Sequence, residues 1–218
     1  MSNLLEADSI ILDFGNRRIL SDIYLKCETG KITGRLGRNG CGKTSLMNII
    51  YGNLNPNSSS IRFDNQVVYN AHRSPDLLLY LPQFHFIPKD LTLKRIFLDF
   101  NLDFSELQAC FPNFKSKYLS NIGQLSGGLR RLVEIFVVLK TPSKFALLDE
   151  PFSHISPVMI EDIKSIMRDT KVQKGLLITD HMYRDIIDIS DQLYVLKDGK
   201  THLTRERSDI ERLGYAHL

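Results

Sequence analysis

The N-terminal part of the chain alternates apolar and polar positions, a pattern that is typical of paired strands. Residues 4–14 and 19–27 predict two strands, with a turn at residues 15–18 between them. Residues 60–63 and 66–69 predict a second hairpin across an Asp-Asn turn. We therefore expect the chain to begin with an antiparallel β subdomain.

Five short and mostly apolar runs predict buried strands. Because stretches with helical periodicity separate most of these runs, we expect a mainly parallel sheet that is covered by helices. The runs are residues 31–36, 77–81, 144–149, 176–179 and 192–196.

Between residues 84 and 139 apolar side chains recur at spacings of three and four, which predicts an inserted helical subdomain. In its last helix we expect Arg130, Arg131 and Glu134 to face away from the apolar side. The insert is rich in phenylalanine, and two interpretations are open: an apolar groove for a partner, or the core of the subdomain itself. These residues are Phe84, Phe86, Phe97, Phe100, Phe104, Phe111 and Phe114.

Composition excludes several classes of protein. A chain of 218 residues with 43% hydrophobic residues can bury a core, but its apolar runs are far shorter than the ~20 residues of a membrane-spanning helix. The first residues do not resemble a signal peptide, so we expect a cytoplasmic location. The net charge of +3 comes from scattered basic residues, and no direct nucleic-acid binding is expected. The three cysteines match no metal-ligand spacing.

Residues 37–44 fit the P-loop pattern Gly-x-x-x-x-Gly-Lys-Ser/Thr, with a strand-like run before them and a helix-like run after them. In such a loop main-chain N–H groups bind phosphate oxygens. Lys43 is expected to reach the β- and γ-phosphates of a nucleotide, and Thr44 is expected to bind Mg²⁺. The residues predicted to contact ATP here are Gly37, Arg38, Asn39, Gly40, Cys41, Gly42, Lys43, Thr44 and Ser45.

An apolar strand that ends in Asp149 and Glu150 has the form of a Walker B element. P-loop chemistry takes place where parallel strands end, at the carboxyl edge of the sheet. We therefore predict that Asp149 supports Mg²⁺ and that Glu150 polarises the attacking water.

Leu125, Ser126, Gly127 and Gly128 lie between these two motifs and match the signature of the ATP-binding cassette (ABC) family, which the chain resembles from about residue 14 to residue 199. The resemblance implies an α/β fold with a P-loop NTPase core, a mainly parallel sheet, an N-terminal antiparallel β subdomain and an inserted helical subdomain. It implies one ABC ATPase domain over residues 1–218. The helical signature subdomain is residues 84–139, and the core with its β subdomain is residues 1–83 and 140–218.

The family resemblance also implies roles for single residues. Phe14 would stack on adenine, Gln83 would contact Mg²⁺ and the attacking water, and His181 would hydrogen-bond the γ-phosphate. The expected catalytic residues are Glu150, His181, Gln83 and Lys43, and the expected Mg²⁺ contacts are Thr44, Gln83 and Asp149.

Two positions depart from the family pattern. Leu129 stands where the family usually has Gln or Glu, and it fits the apolar face of its helix. Ser156 stands where the D-loop normally has Asp. Because Ser156 precedes Pro157, we expect it to cap the next helix. In the family the D-loop lies at the interface between two ABC domains, so the resemblance implies that a negative charge is lost from this interface.

The resemblance implies an ATPase that powers a membrane transporter. Two copies would enclose Mg·ATP, with Ser126, Gly127 and Gly128 of one copy facing the γ-phosphate held by the other. A transmembrane permease would hold them at the inner face of the membrane. The segments around Glu134, Glu150 and His181 are similar to those of bacterial lipopolysaccharide-export and branched-chain amino-acid uptake ATPases. Two alternatives stay open. One is a soluble ABC ATPase of iron–sulfur assembly or of a nucleic-acid-linked ATP switch. The other is a cassette that binds ATP without turnover.

Overall fold

Two β-sheets organise the chain, and the computed structural model describes residues 2–215, apart from the side chain of Arg207. Residues 1 and 216–218 of the predicted domain lie outside the described residues. The strands are β1 (Leu4–Phe14), β2 (Arg17–Leu20), β3 (Tyr24–Glu28), β4 (Ile32–Gly37), β5 (Ser58–Phe63), β6 (Gln66–Val67), β7 (Leu78–Leu81), β8 (Phe145–Asp149), β9 (Gly175–Thr179), β10 (Gln192–Lys197) and β11 (Lys200–Thr204). The helices are α1 (Lys43–Tyr51), α2 (Leu93–Asp99), α3 (Phe104–Cys110), α4 (Gly127–Lys140), α5 (Pro157–Thr170), α6 (Tyr183–Ile189) and α7 (Arg207–Arg212).

The first sheet is antiparallel and is built around β1, which pairs with β2, β3 and β5. The prediction of one strand over residues 19–27 is wrong. β2 pairs with residues 12–14 of β1, whereas β3 pairs with residues 4–8. Between them the N–H of Ser21 donates to the carbonyl of Gly199 at 2.8 Å, so the chain leaves the sheet there. The predicted turn at residues 15–18 is correspondingly shorter, because β2 already begins at Arg17.

The second sheet has the order β11-β10-β4-β9-β8-β7, and all its strands are parallel except the edge strand β11. This confirms the predicted fold class. Because β4, β7, β8 and β9 run in the same direction, their carboxyl ends meet at one edge of the sheet. The P-loop, Gln83, the pair Asp149 and Glu150, and His181 follow these four strand ends.

The phenylalanines of the helical insert mainly form a core. Phe97, Phe104, Phe111 and Phe114 are buried together with apolar residues of the parallel sheet. Phe86 and Phe100 are half-buried, and Phe84 is 71% exposed. The core interpretation is therefore confirmed for most of this set, and a groove built from all seven rings is wrong.

Helix α4 does not expose its charged residues, so this part of the sequence prediction is wrong. Arg131 is 3% exposed and Glu134 is fully buried, while the side chain of Arg130 is mostly buried. Residues 131–139 of the helix are all buried, which leaves little solvent-facing surface in that stretch. Charged side chains at such positions need partners inside the protein.

Helix α5 begins as predicted, with Ser156 at the N-cap position and Pro157 as the first helical residue. Within the described residues, however, the Ser156 side chain makes no cap hydrogen bond, so the expected cap is wrong in that respect. The start of the helix depends instead on Pro157, whose fixed φ suits the first turn.

Candidate functional site

The P-loop connects the end of β4 to the start of α1. Gly42, at the N-cap position of α1, has φ 100°, a left-handed conformation that glycine adopts without strain. A Cβ atom at Gly42 would also lie 2.9 Å from the Ile19 side chain. The loop therefore requires glycine at this position in order to turn into the helix.

Lys43 is buried, and its ammonium group lies inside the loop that precedes it. Nζ donates to the carbonyl of Gly37 at 2.8 Å and to the carbonyl of Arg38 at 3.2 Å. The carbonyls keep the ammonium at the centre of the loop, where an anionic ligand of the main-chain N–H groups would be within reach.

A cavity of about 500 Å³ lies in front of the P-loop. It brings together an exposed aromatic residue, the loop, and side chains from the ends of β7 and β8. Phe14, which is 54% exposed, comes from the antiparallel sheet, and Gln83 and Glu150 follow strands of the parallel sheet. The described residues that line the cavity are Phe14, Arg17, Ile19, Asn39, Gly40, Gly42, Lys43, Thr44, Ser45, Gln83 and Glu150.

Asp149 has the properties of a cation ligand. It is fully buried, Tyr80 donates its hydroxyl to Oδ2 at 3.3 Å, and Oδ1 has no hydrogen-bond partner among the described residues. Burial raises the pKa of the Asp149 carboxyl, and the charge of Arg35 opposes this shift. A buried carboxylate oxygen without a donor is the kind of ligand that Mg²⁺ takes. Thr44 lies beside Asp149 and lines the same cavity as Gln83, so these three residues fit this ion.

Arg35 is a buried charge in a strand whose other residues are mostly apolar or small. It lies in β4 beneath the P-loop, and its Nη2 donates to the carbonyl of Lys43. Burial lowers the pKa of Arg35 to about 10, and the charge of Asp149 counteracts that effect. An arginine inside an otherwise apolar strand was the available sequence signal.

Glu150 and His181 lie next to each other at the ends of β8 and β9. The distance between His181 Nδ1 and Glu150 Oε2 is 3.7 Å, and Ser153 donates its hydroxyl to Glu150 Oε2 at 3.2 Å. Glu150 has φ 51°, a left-handed conformation that is uncommon outside glycine and often occurs at functional sites.

Asp180 fixes the loop that carries His181. Its carboxylate is buried and accepts hydrogen bonds from the N–H groups of Phe152 at 2.9 Å and Met182 at 3.0 Å. Burial raises the pKa of Asp180, while these two N–H groups favour the charged form. The hydrogen bonds join the loop after β9 to the loop after β8, so the positions of His181 and Glu150 are linked.

The signature residues lie at the start of α4, away from this cavity. Ser126 caps the helix as predicted, because its Oγ accepts from the N–H of Leu129 at 3.4 Å. Gly128 packs so closely on the His154 carbonyl that a Cβ atom would lie 2.7 Å from the oxygen. Among the described residues that line the cavity, none belongs to the signature, and Ser126 and Gly127 are exposed. His181 is also absent from that lining.

Arg131 is a second buried arginine whose contacts the local sequence pattern did not predict. Its Nη1 donates to the carbonyl of Pro82 at 2.6 Å, and its Nη2 donates to the carbonyls of Asp149 at 2.7 Å and Glu150 at 3.1 Å. A charged residue within a strongly apolar helix was again the available signal. The guanidinium contacts the main chain beside three predicted site residues.

In the part of the chain that the structure describes, no helix is both long enough and apolar enough to cross a membrane.

Comparisons with known proteins show which family the chain is similar to. The family model described as ABC transporter matches residues 20–153. The lipopolysaccharide export system ATP-binding protein LptB of Haemophilus influenzae is 32% identical over 213 residues, which cover 91% of this chain and 88% of the relative. LptB of Escherichia coli K12 is also 32% identical, with 98% of this chain and 94% of the relative covered.

Solved structures show the same fold. A structure described as the ATP binding subunit of an ABC transporter has a TM-score of 0.79 at 20% identity and covers 97% of this chain and 94% of its own. A bacterial Atm1-family ABC exporter with ATP bound has a TM-score of 0.84 at 21% identity, covering 97% of this chain and 40% of its own. The chain therefore belongs to the ABC transporter family, whose ATP-binding domain binds and hydrolyses ATP.

Proposed function

We propose that this chain is the ATP-hydrolysing subunit of a membrane transporter and that it works as a dimer on the cytoplasmic face of a transmembrane partner. The observation that carries the proposal is the cavity that brings Phe14, the P-loop, Gln83 and Glu150 together. Relatives that cover most of the chain are named lipopolysaccharide export ATP-binding proteins, which favours a transporter over a soluble ABC ATPase.

Different residues of the cavity bind different parts of ATP. Phe14 stacks on the adenine ring, and the main-chain N–H groups of the P-loop bind the phosphates. Lys43 exchanges its bonds to the Gly37 and Arg38 carbonyls for bonds to the β- and γ-phosphates. Thr44, Asp149 and Gln83 would hold Mg²⁺, which when bound would supply positive charge beside the phosphate oxygens.

Glu150, whose side chain lines the cavity, accepts a proton from the attacking water. His181 lies next to Glu150, and it contacts the γ-phosphate that Lys43 binds. Both residues belong to loops that the Asp180 hydrogen bonds join. The proposed base, Glu150, and the proposed phosphate contact, His181, are therefore held in one arrangement. These residues favour turnover over binding alone.

The exposed signature supports the dimer. Ser126 and Gly127 are exposed at the N-terminus of α4, which favours an anion there. Because they do not line the cavity of their own chain, they are free to contact ATP bound by a second copy. The two copies then enclose two nucleotides in a head-to-tail dimer.

The first test measures phosphate release by the purified chain. With ATP and Mg²⁺ we expect steady turnover at a kcat within the usual enzyme range of about 1–10³ s⁻¹, and we expect EDTA to abolish it. Turnover that persists in EDTA would contradict the proposed Mg²⁺ contacts. Absence of phosphate release would contradict the enzymatic proposal as a whole.

Phe84 is the side chain that we propose contacts the transmembrane partner. It follows Gln83 directly and is 71% exposed, although a phenylalanine gains most by burial. We expect Phe84→Asp to release the chain from membranes while kcat in detergent-free solution changes less than about twofold. The measurement is the fraction of chain that sediments with membranes, together with mass spectrometry of co-purified proteins.

Val172→Asp is the matched control, since Val172 is equally exposed but lies just after α5, away from Gln83. It should leave sedimentation unchanged. Equal sedimentation of the parent and Phe84→Asp chains would argue against this contact, and purification with soluble proteins only would support the soluble alternative.

A further inference from the structure

Arg131 joins three parts of the site through one side chain. It lies on α4, five positions after the signature residue Ser126, and it is 3% exposed. Its two terminal nitrogens donate to main-chain carbonyls of two segments. The first is residues 82–87, here called the Gln83 segment, in which the carbonyl of Pro82 accepts. The second is the Walker B segment, in which the carbonyls of Asp149 and Glu150 accept. The guanidinium is planar and rigid, so these contacts fix distances as well as forming bonds.

Neighbouring carboxylates compensate the charge of Arg131. Burial lowers its pKa, and Glu134 opposes this shift first, with Oε2 at 3.8 Å from Nη1. Asp149, Asp180 and Glu150 contribute in the same direction. Arginine remains protonated in proteins even when it is buried, so the group keeps its full set of donors.

Glu134 fastens the other end of the Gln83 segment to the same helix. Its Oε2 lies 2.9 Å from His85 Nδ1, and its Oε1 accepts from the N–H of Ile87 at 3.4 Å. Arg130 donates to the carbonyl of Ile87 at 2.6 Å. The segment from residue 82 to residue 87 is therefore held to α4 at both ends, with the exposed Gln83 between them.

These contacts give the signature helix a direct mechanical link to the hydrolysis site. When α4 shifts, the Pro82 and Glu150 carbonyls must follow the guanidinium or lose hydrogen bonds to a buried charge, which are costly to leave unmade. We propose that Arg131 is a positioning residue for ATP hydrolysis, which sets Gln83 and Glu150 at a fixed distance from the signature helix. This inference rests on the proposed function, since it assigns a source of control to that same site.

Arg131→Met removes the donors and keeps most of the side-chain volume. We expect kcat to fall about 10- to 100-fold, because an error of about 1 Å in the position of reacting groups costs up to that factor. The Kd of ATP should change less than about threefold, since Arg131 does not line the cavity among the described residues. Phosphate release gives kcat, and titration calorimetry gives Kd.

Lys140→Met is the matched control on the same helix. Lys140 forms an ion pair with Glu106 at 3.4 Å near the C-terminus of α4, and among the described residues no hydrogen bond joins its side chain to the Gln83 segment or to Glu150. It should lower kcat less than about threefold. Arg131→Lys keeps the charge but lacks the planar fork of donors, and it should also lower kcat. If Arg131→Met does not fold, Arg131→Lys is the variant whose kcat is compared with that of the control.

A double-mutant cycle with Gln83→Ala separates positioning from general stability. If Arg131 acts through Gln83, the loss caused by Arg131→Met should be smaller in the Gln83→Ala background than in the parent. The inference would be overturned if the loss of kcat in the double variant equalled the product of the two single losses. An unchanged kcat in both Arg131 variants would also overturn it. Phosphate release by the parent supports the proposed function whatever the variants show, so the two can fail separately.

Discussion

Glu150→Gln is expected to lower kcat for ATP hydrolysis at least about 100-fold while ATP still binds. General-base catalysis typically contributes 10²–10⁴-fold, and an amide cannot accept the proton of the attacking water. The substitution preserves the size of the side chain, the Ser153 hydroxyl retains an oxygen to donate to, and the phosphate-binding loop is untouched. Phosphate release measures kcat, and titration calorimetry measures ATP affinity.

The same variant should accumulate as an ATP-bound dimer, since hydrolysis no longer opens it. Light scattering after size exclusion, with and without Mg·ATP, gives the mass. Glu161→Gln is the control, because Glu161 is exposed on α5 and bonds only Lys164 among the described contacts. A kcat equal to that of the parent would remove Glu150 from the role of base, and a monomer in Mg·ATP would speak against the proposed dimer.

The fold was largely predictable because its signals are local. Buried strands appear as short apolar runs, the P-loop and the Asp149-Glu150 pair lie at strand ends, and the signature Ser126 directly precedes a helix. The carboxyl ends of parallel strands then bring the first two of these motifs to one edge without further information. The roles of the individual site residues remain predictions that the experiments above test.

Features that depend on distant partners were not predictable from local patterns. The break between β2 and β3 follows from Ser21 bonding Gly199, which is 178 positions away in the chain. Helical periodicity separates only apolar residues from polar ones. It therefore predicted that Arg131 and Glu134 lie on the surface. Arg131 is buried because its acceptor at Pro82, 49 positions earlier, compensates the cost of removing it from water.

Loss of the ammonium group in Lys43→Met is expected to weaken ATP binding about 100-fold, or ~2.7 kcal/mol. The group is buried and held by the Gly37 and Arg38 carbonyls at the centre of the loop. Hydrogen bonds to charged groups contribute about 1.5–3 kcal/mol each, so the expected loss corresponds to one or two of them. Titration calorimetry with ATP and Mg²⁺, repeated in the Glu150→Gln background to prevent turnover, gives the change in Kd.

Arg38→Met is the matched control, since it removes one positive charge from the same loop. The guanidinium of Arg38 is exposed and donates to the carbonyl of Gly214 at 3.0 Å, so its charge is screened by solvent. It should weaken binding less than about threefold, in keeping with the small effects of exposed charges. Equal weakening in both variants would mean that the loop contributes only net charge. A Kd unchanged in Lys43→Met would remove Lys43 from the phosphate contacts.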